Sequence, residues 1–554
     1  MARDSLDRWL LVDYAGYAYT PSSLMPDNGL ANLASALLQQ QKEVTILDFG
    51  TVSAMRRLTT PDLTRRLTAT WDRMQAAGQP QGLAARVGQV GLLLTLQAAE
   101  RARSRLQRRT VEEIARELVA RIKSQGITAV GFKLWNGDGW EGSAVLARRI
   151  RAQCPGVRVF AGGPQVDFFM ERILAAEDAF DALVYGEGEE TIQQLAATGG
   201  NPAAYEAIPN LLYRRDGQIR RTAEQMVADL DALPLPVYDP AVYPAMQGDE
   251  KIRILVVDES RGCRNDCAFC VHPMKSHHRL RTKTLPRLLR EIDALVTQVG
   301  VHTFRFAGSC TPYSLLNAFA AELVQRRTDL AYACFGHIRD VEEADLPLLR
   351  RSGCRALFFG IESGSQPVLD AMRKHIRADA IPEAMRRTRE AGIFAVGSLI
   401  FPAPGDTDAT EQETLDLLAR QKPGSVTLQA PIVAPRTDWF DHPEQYGIAY
   451  RSREHYLTAA LHWKVKLLLP PSLWKALPVS IDGQSYRQLL RRTTAFARKL
   501  SAMGIPLSIS DENYLMSLRA GMDPMEFRSA ALPAFFSGDA ERIAALVARI
   551  NSGV

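Results

Sequence analysis

The sequence predicts an α/β protein with three parts: a doubly wound, Rossmann-like N-terminal domain, a second domain of βα units, and a helical C-terminal domain. Strand-like apolar runs alternate with helical patterns over residues 1–229, which predicts a parallel sheet covered on both faces. A proline-bearing connector at 230–250 follows, and the alternation resumes over residues 251–440. From residue 441 to residue 554 the patterns are helical.

The first domain is predicted from the order of its elements. Strands are expected at 9–12, 44–49, 129–134, 157–161 and 182–185, and helices at 30–41, 111–124 and 142–153. An arginine-rich helical stretch at about 55–110 interrupts the alternation. Ligands of such sheets bind outside the carboxyl ends of the strands, so we look for a site there.

Composition sets the broad class of the protein. The 554 residues are 46% hydrophobic and 23% charged, as expected of an ordinary soluble protein, and a net charge of +5 does not argue for nucleic acid. The start of the chain lacks the shape of a signal peptide, and no apolar run approaches the ~20 residues that span a bilayer. Seven cysteines, three of them close together, are not a secreted disulfide framework, so we expect a reducing cytoplasm.

The most specific motif is a run of three cysteines, Cys263, Cys267 and Cys270, directly after the apolar run at 252–257. Three thiolates can hold three irons of a [4Fe–4S] cluster and leave the fourth iron open to bind a small molecule. The alternative is a closed zinc site completed by His272, although zinc ligands usually come as two separated pairs.

The spacing C-x3-C-x2-C, with Phe269 before the last cysteine, resembles the signature of radical S-adenosylmethionine (SAM) enzymes. The resemblance implies a partial (β/α)6 barrel over 251–440 and a SAM molecule chelated by the open iron. It also implies SAM contacts from residues at the ends of the second, third and fourth strands: Gly308, Ser309, Arg339, Glu362 and Ser363. The family glutamate after the second strand is absent here, and Cys310 stands in its place.

Two glycine-rich turns end predicted strands of the first domain, at 162–165 and 186–191. Together with the cysteine motif downstream, they resemble cobalamin-binding radical SAM enzymes, among them the class B methyltransferases. The resemblance implies cobalamin contacts from the loops that follow three of the strands: Trp135, Asn136, Gly137, Gly162, Gly163, Gly186, Glu187, Gly188, Glu189 and Thr191. All nine histidines lie at or beyond position 272, so a lower histidine ligand to cobalt is excluded within this domain.

The resemblance implies a methyltransferase that moves a methyl group from SAM through methylcobalamin to an unactivated carbon of a small-molecule or peptide natural-product intermediate. Methylation of an aromatic carbon or phosphinate phosphorus without a substrate radical remains open, as does rearrangement or cyclisation. A non-catalytic cobalamin or redox sensor is the alternative of another class. The expected partners are the substrate and a flavodoxin- or ferredoxin-type electron donor, without nucleic acid or membrane.

The sequence leaves the roles of two regions open. The stretch at 55–110 is either a solvated helical insertion or a cap over one face of the cofactor. The C-terminal domain, by resemblance, is expected to close the mouth of the barrel and shape the substrate pocket.

Overall fold

The structure is a computed structural model that describes residues 6–76, 83–466 and 469–553. The first five residues, on which the signal-peptide expectation rests, lie outside the described residues. Residues 77–82, which are part of the predicted helical insertion, also lie outside them. The predicted α/β class is confirmed: two parallel sheets carry the fold, and helices cover them.

The N-terminal sheet has seven strands in the order β2-β1-β3-β4-β5-β6-β7. The first five are parallel and correspond to the five predicted strands, whereas β6 and β7 form an antiparallel hairpin that the sequence patterns did not predict. The strands are β1 (Arg8–Asp13), β2 (Glu43–Asp48), β3 (Ala129–Lys133), β4 (Arg158–Gly162), β5 (Ala182–Val184), β6 (Leu211–Arg215) and β7 (Gln218–Arg221).

The described residues of this part of the chain form eight α-helices. The predicted helix at 111–124 is the end of one long helix, α4, whose first half pairs with α3. The helices are α1 (Asn28–Gln39), α2 (Val52–Arg57), α3 (Pro61–Ala76), α4 (Leu83–Gln125), α5 (Asp138–Gln153), α6 (Pro164–Phe169), α7 (Glu171–Ala176) and α8 (Glu189–Ala197).

The second sheet has six parallel strands that lie side by side in chain order, from β8 to β15, as expected of a partial barrel. A short antiparallel hairpin, β9 with β10, stands apart from this sheet and carries the cysteine loop between its strands. The strands are β8 (Leu255–Val257), β9 (Ser260–Gly262), β10 (Leu280–Thr282), β11 (Thr303–Phe306), β12 (Ala331–Gly336), β13 (Cys354–Glu362), β14 (Phe394–Ile400) and β15 (Ser425–Gln429).

Most helices of the second part connect successive barrel strands and cover the outer face of the sheet. Leu357 and Phe359 of β13 pack outward into the main core, whereas Ala356 and Phe358 point to the barrel interior. The helices are α9 (Val271–Lys275), α10 (Leu285–Val299), α11 (Tyr313–Arg326), α12 (Leu346–Arg351), α13 (Gln366–Ala371), α14 (Ala380–Glu390) and α15 (Asp408–Gln421).

The C-terminal region is mainly helical but also contains a three-stranded antiparallel sheet, which the sequence patterns did not predict. Its helices are α16 (Asp438–Asp441), α17 (Arg453–Leu461), α18 (Tyr486–Ala502), α19 (Asp511–Arg519), α20 (Pro524–Ser537) and α21 (Ala540–Ser552). Its strands are β16 (Ile448–Tyr450), β17 (Val479–Ile481) and β18 (Gln484–Ser485).

The C-terminal helices contact the barrel at both ends. Helix α19 closes the amino-terminal end: Tyr514 stacks on Phe394 with ring centroids 4.0 Å apart, and Asp511 pairs with Arg305 at 2.8 Å. At the opposite end, the backbone N–H of Trp439 donates to the carbonyl of Ala268 in the cysteine loop. The chain after β15 therefore seals the bottom of the barrel and also reaches its mouth. Among the described residues, no helix is long and apolar enough to cross a membrane.

Candidate cofactor and active site

A cavity of about 370 Å³ lies between the carboxyl ends of the N-terminal strands and the β9–β10 hairpin. Its inner part is apolar and lies between the sheet and helices α1 and α8, with Leu11, Leu33, Phe160, Ile192 and Leu195 on its walls. Its mouth is polar. A deep apolar slot with a polar rim at the edge of a parallel sheet fits a large cofactor that has a flat heterocyclic tail.

Six of the predicted cobalamin residues line this cavity: Gly162, Gly163, Gly186, Glu187, Gly188 and Glu189. At two of these positions the backbone requires a glycine. A Cβ on Gly162 would lie 3.0 Å from the carbonyl oxygen of Val184, and Gly186 has a φ of +69°, in the left-handed region. The glycines therefore let the backbone form the wall of the cavity.

The other four predicted cobalamin residues are not among those that line the cavity: Trp135, Asn136, Gly137 and Thr191. The indole N–H of Trp135 donates to Asp13 at 2.7 Å, and Gly137 packs against Lys464 of the C-terminal region. The hydroxyl of the fully buried Thr191 donates to the carbonyl of Pro209 at 3.2 Å. Trp135, Gly137 and Thr191 thus support the loops around the cavity.

The two glutamates of the second glycine-rich turn bind the barrel part of the chain. Glu187 accepts two hydrogen bonds from Arg281 of β10, at 2.6 and 3.0 Å, and Glu189 pairs with Arg261 of β9 at 2.6 Å. Burial would raise the pKa of Glu187, but Arg281 and Arg261 outweigh it and lower the pKa below its ordinary value. These ion pairs fasten the hairpin over the mouth of the cavity.

At the wall of the cavity, which Lys133 lines, begins a buried cluster of ionisable residues that the sequence analysis did not identify. Asp13, Asp48 and Lys133 are the last residues of β1, β2 and β3, and Lys133 pairs with Asp27, the N-cap of α1. Burial, followed by the neighbouring carboxylate of Asp48, raises the pKa of Asp13 to about 8. Charged residues at three successive strand ends were a signal that could have revealed this group.

The cysteine loop is held tightly. The backbone N–H of Cys263 donates to the hydroxyl of Ser276 at 3.1 Å, and the amide of Asn265 donates to the sulfur of Cys263 at 3.4 Å. Burial raises the pKa of Cys267 and brings that of Cys270 to about 12. Buried thiols of this kind become thiolates when a metal neutralises their charge.

The chemistry of this donor set fits an iron–sulfur cluster. Among residues 6–76, 83–466 and 469–553, no group of three or more His, Cys, Asp or Glu side chains gathers closely enough to hold one metal ion. The four candidate zinc ligands Cys263, Cys267, Cys270 and His272 are not such a group among the described residues. Three thiols from one loop, with an N–H···S hydrogen bond, match the way proteins hold a cubane.

Gly308, one of the predicted SAM residues, packs against a buried carboxylate that the sequence analysis missed. Glu259, two residues beyond β8, is fully buried and accepts hydrogen bonds from the N–H of Gly308 at 3.1 Å and the hydroxyl of Thr311 at 2.5 Å. A Cβ on Gly308 would lie 2.1 Å from Glu259 Oε1. Glu259 therefore holds in place the loop that begins after β11 and contains Gly308, Ser309 and Cys310.

The predicted SAM residues after β12 and β13 are partly engaged with the protein itself. Arg339 is 42% exposed and bonds Asp340 at 2.8 Å, while Glu362 is buried and pairs with Lys374 at 3.1 Å. The hydroxyl of Ser363 accepts the N–H of Ser365 at 3.2 Å. The ammonium of Lys374 also interacts electrostatically with Cys267 and Cys270, so this ion pair lies beside the cysteine loop.

A second cavity, of about 200 Å³, lies next to the first, on the side of the cysteine loop. It shares Gly186, Glu187, Asp258, Arg261 and Lys275 with the larger cavity. Its other walls include Ala307 and Ser309 beyond β11, and His272 of the cysteine loop, whose pKa is lowered by burial and by Lys275. The two cavities are therefore neighbours, one at the N-terminal sheet and one at the carboxyl ends of the barrel strands, and the shared residues lie between them.

Two family models match parts of the chain. Residues 260–418 match the radical SAM superfamily, and residues 88–196 match the B12 binding domain. An uncharacterized methyltransferase of Pyrococcus horikoshii is 26% identical over 262 residues, which are 47% of this chain and 57% of that protein. An anaerobic magnesium-protoporphyrin IX monomethyl ester cyclase of Synechocystis is 25% identical over 359 residues, 59% of this chain and 70% of that protein. The chain thus spans little more than half of the first relative.

Solved structures share the fold. The radical SAM methyltransferase TsrM from Kitasatospora setae, with cobalamin and a [4Fe–4S] cluster bound, aligns with a TM-score of 0.60 over 97% of this chain and 100% of that chain, at 16% identity. The cobalamin-dependent radical SAM enzyme OxsB aligns with a TM-score of 0.55 over 77% of this chain and 53% of that chain, at 15% identity.

The apolar slot fits cobalamin, the cysteine loop fits the cluster, and the two matched domains account for both. The chain therefore contains a radical SAM domain and a B12 binding domain, and its cofactors are cobalamin, a [4Fe–4S] cluster and SAM.

Proposed function

We propose that the chain is a methyltransferase that moves a methyl group from SAM to an unactivated carbon of a small-molecule or peptide substrate. The observation that carries this proposal is that the cavity at the N-terminal sheet and the cavity beside the cysteine loop are neighbours that share five lining residues, because a substrate bound between them would lie close to both cofactors. When bound, cobalamin supplies the methyl group, and the reduced cluster supplies a radical from a second SAM molecule. The relative from Pyrococcus is named a methyltransferase, which supports the same reaction class.

The residues of the chain have positioning roles in this proposal. Cys263, Cys267 and Cys270 hold the cluster, and the glycines after β4 and β5 form the cobalamin wall. The ion pairs of Glu187 and Glu189 with the hairpin cover the space and exclude water, which strengthens electrostatic interactions inside it. Residues 436–461 lie against the cysteine loop and helix α6, where they border the same region.

Cyclisation is the second candidate, because the Synechocystis relative, matched over 70% of its own length, is a cyclase. One experiment separates these reactions. The protein is reconstituted anaerobically with iron, sulfide and hydroxocobalamin, then incubated with SAM and dithionite, and its products are identified by mass spectrometry. Cys267→Ala is the control for reactions that do not need the cluster.

The expected products are S-adenosylhomocysteine and 5′-deoxyadenosine together, the second only with the intact cysteine loop. 5′-Deoxyadenosine alone would favour cyclisation or rearrangement. S-adenosylhomocysteine alone would favour methyl transfer without a substrate radical. Formation of neither product would reject the enzyme and favour a sensor.

A further inference from the structure

A cavity of about 380 Å³ lies at the amino-terminal end of the barrel, opposite the end that carries the cysteine loop. Its walls come from the first residues of three neighbouring strands, at Thr303 of β11, Ala331 of β12 and Arg355 of β13, and from helix α19 of the C-terminal region. It shares no lining residue with the two cavities of the cofactor site. Its volume is in the range of small-molecule sites, so we ask what it could bind.

Three arginines line this cavity, and each comes from a different element. Arg350 lies in the last turn of α12, Arg355 is the second residue of β13, and Arg519 is the last residue of α19. Among the lining residues that the structure describes, Asp329 has the one carboxylate. Three guanidinium groups against one carboxylate leave two positive charges in excess, and such a cavity attracts an anion.

Two of the three guanidinium groups have no partner within the described part of the chain. Arg350 and Arg355 are half-buried and make neither a hydrogen bond nor an ion pair there. Arg519 is held in place, because it donates to the carbonyls of Ile550 and Asn551 at the end of α21, at 3.3 and 3.2 Å. A half-buried guanidinium has lost part of its hydration, and an anionic ligand that accepts its N–H groups replaces what is lost.

The backbone of β13 contributes to the position of Arg355. In the pairing of β12 with β13, Tyr332 lies opposite Cys354 and Ala333 lies opposite Ala356, so Arg355 is an extra residue in a β-bulge. A bulge takes its extra residue out of the ladder and redirects its side chain, and bulges between parallel strands are rare. The bulge therefore lets Arg355 line the cavity while Ala356 keeps its place in the barrel interior.

The arrangement of the three arginines favours a phosphate group. One guanidinium can satisfy both oxygens of a carboxylate, whereas a phosphate group has enough oxygens to accept from two or three guanidinium groups. A phosphate monoester carries about −1.5 to −2 charges at pH 7, which is close to the excess of positive charge in the cavity. The ring of Tyr514, which stacks on Phe394, forms an aromatic part of the same wall.

We propose that Arg350, Arg355 and Arg519 form a binding site for a small molecule that bears a phosphate or diphosphate group. Arg350 and Arg355 belong to the barrel, and Arg519 belongs to the C-terminal region, so the bound anion joins the two parts of the chain. Its binding stabilises the contact of α19 with the barrel. The site is at the end of the barrel away from both cofactors, so the inference does not depend on the reaction proposed above.

The experiment measures the binding of inorganic pyrophosphate and of ADP by calorimetry, on protein loaded with cluster and cobalamin, at constant ionic strength. We expect one site per chain for the wild type. Arg355→Gln and Arg350→Gln should each raise the Kd at least about tenfold, the effect of one lost hydrogen bond between charged groups. Arg351→Gln is the matched control, because Arg351 is the exposed neighbour of Arg350 on α12 and does not line the cavity.

The melting temperature gives a second measurement. Pyrophosphate should raise it in the wild type and in Arg351→Gln, and raise it less in Arg355→Gln. The more tightly bound of the two probes distinguishes a free diphosphate from an organic phosphate.

Two results would overturn the proposal: binding of neither probe to the wild type, or an unchanged Kd in both Arg350→Gln and Arg355→Gln. If Arg355→Gln does not retain its iron, Arg350→Gln decides alone, and its unchanged affinity would reject the site.

Discussion

Gly308→Ala tests the buried support of the loop after β11, which is predicted to contact SAM. The added methyl group would lie 2.0 Å from the hydroxyl of Ser260 and 2.1 Å from Glu259 Oε1, whereas ordinary contact begins near 3.4 Å. The space cannot be gained from a flexible end, because Glu259 is fully buried and bonded to Gly308, Thr311 and Ser260. We therefore expect the carboxylate and the loop to separate.

The magnitude follows from the hydrogen bonds that are lost. Burial raises the pKa of Glu259 and so disfavours its charged form, and a hydrogen bond between uncharged groups contributes about 0.5–1.5 kcal/mol, so the loss of two of the three would destabilise this end of the barrel by about 1–3 kcal/mol. The loop after β11 would move, and we expect SAM to bind at least about tenfold more weakly, which corresponds to ~1.4 kcal/mol.

The assay measures iron per chain, the melting temperature and the Kd for SAM in Gly308→Ala and in Gly156→Ala. Gly156 is the matched control, because a Cβ there meets nothing within 4 Å and its backbone needs no glycine. A Gly308→Ala protein with wild-type SAM affinity and melting temperature would refute the role given to Glu259.

Three further predictions concern the other parts of the site. Cys267→Ala should lose the iron and the blue-region absorbance of the cluster but keep cobalamin. Cys154→Ala, far from the cysteine loop in sequence, is the control and should keep both the iron and cobalamin. Unchanged iron in Cys267→Ala would contradict the assignment of the cysteine loop to the cluster. Gly131→Val, in the inner wall of the 370 Å³ cavity, should lower cobalamin per chain at least about tenfold with iron unchanged, and full cobalamin occupancy would argue against this cavity. Asp13→Asn should change the pH dependence of stability. The pKa of Asp13 is raised from 3.8 to about 8, so the folded wild type holds a proton that the unfolded chain has released between these pH values. The free energy of unfolding of the wild type therefore falls by about 1.4 kcal/mol per pH unit across that window, whereas that of Asp13→Asn does not. The difference in melting temperature between the two proteins should grow up to pH 8 and then level off.

The cysteine loop and the glycine-rich turns were predictable because their residues are neighbours in sequence. Glu259 was not, since its partners Gly308 and Thr311 come from a different strand end about 50 residues away. Strands β16–β18 have two or three residues each, too few for an alternating pattern.

The glutamate–arginine pairs across the mouth of the large cavity bear on how the holoprotein is made. A corrinoid is bulky, and with Arg261 and Arg281 held by Glu189 and Glu187 the hairpin stands in its way. If the folded protein is to bind cobalamin, these ion pairs must first break. A chain that is still folding can bind the cofactor before the ion pairs form. Cobalamin supplied in the growth medium during expression should therefore give a higher cofactor occupancy than cobalamin added to the purified protein.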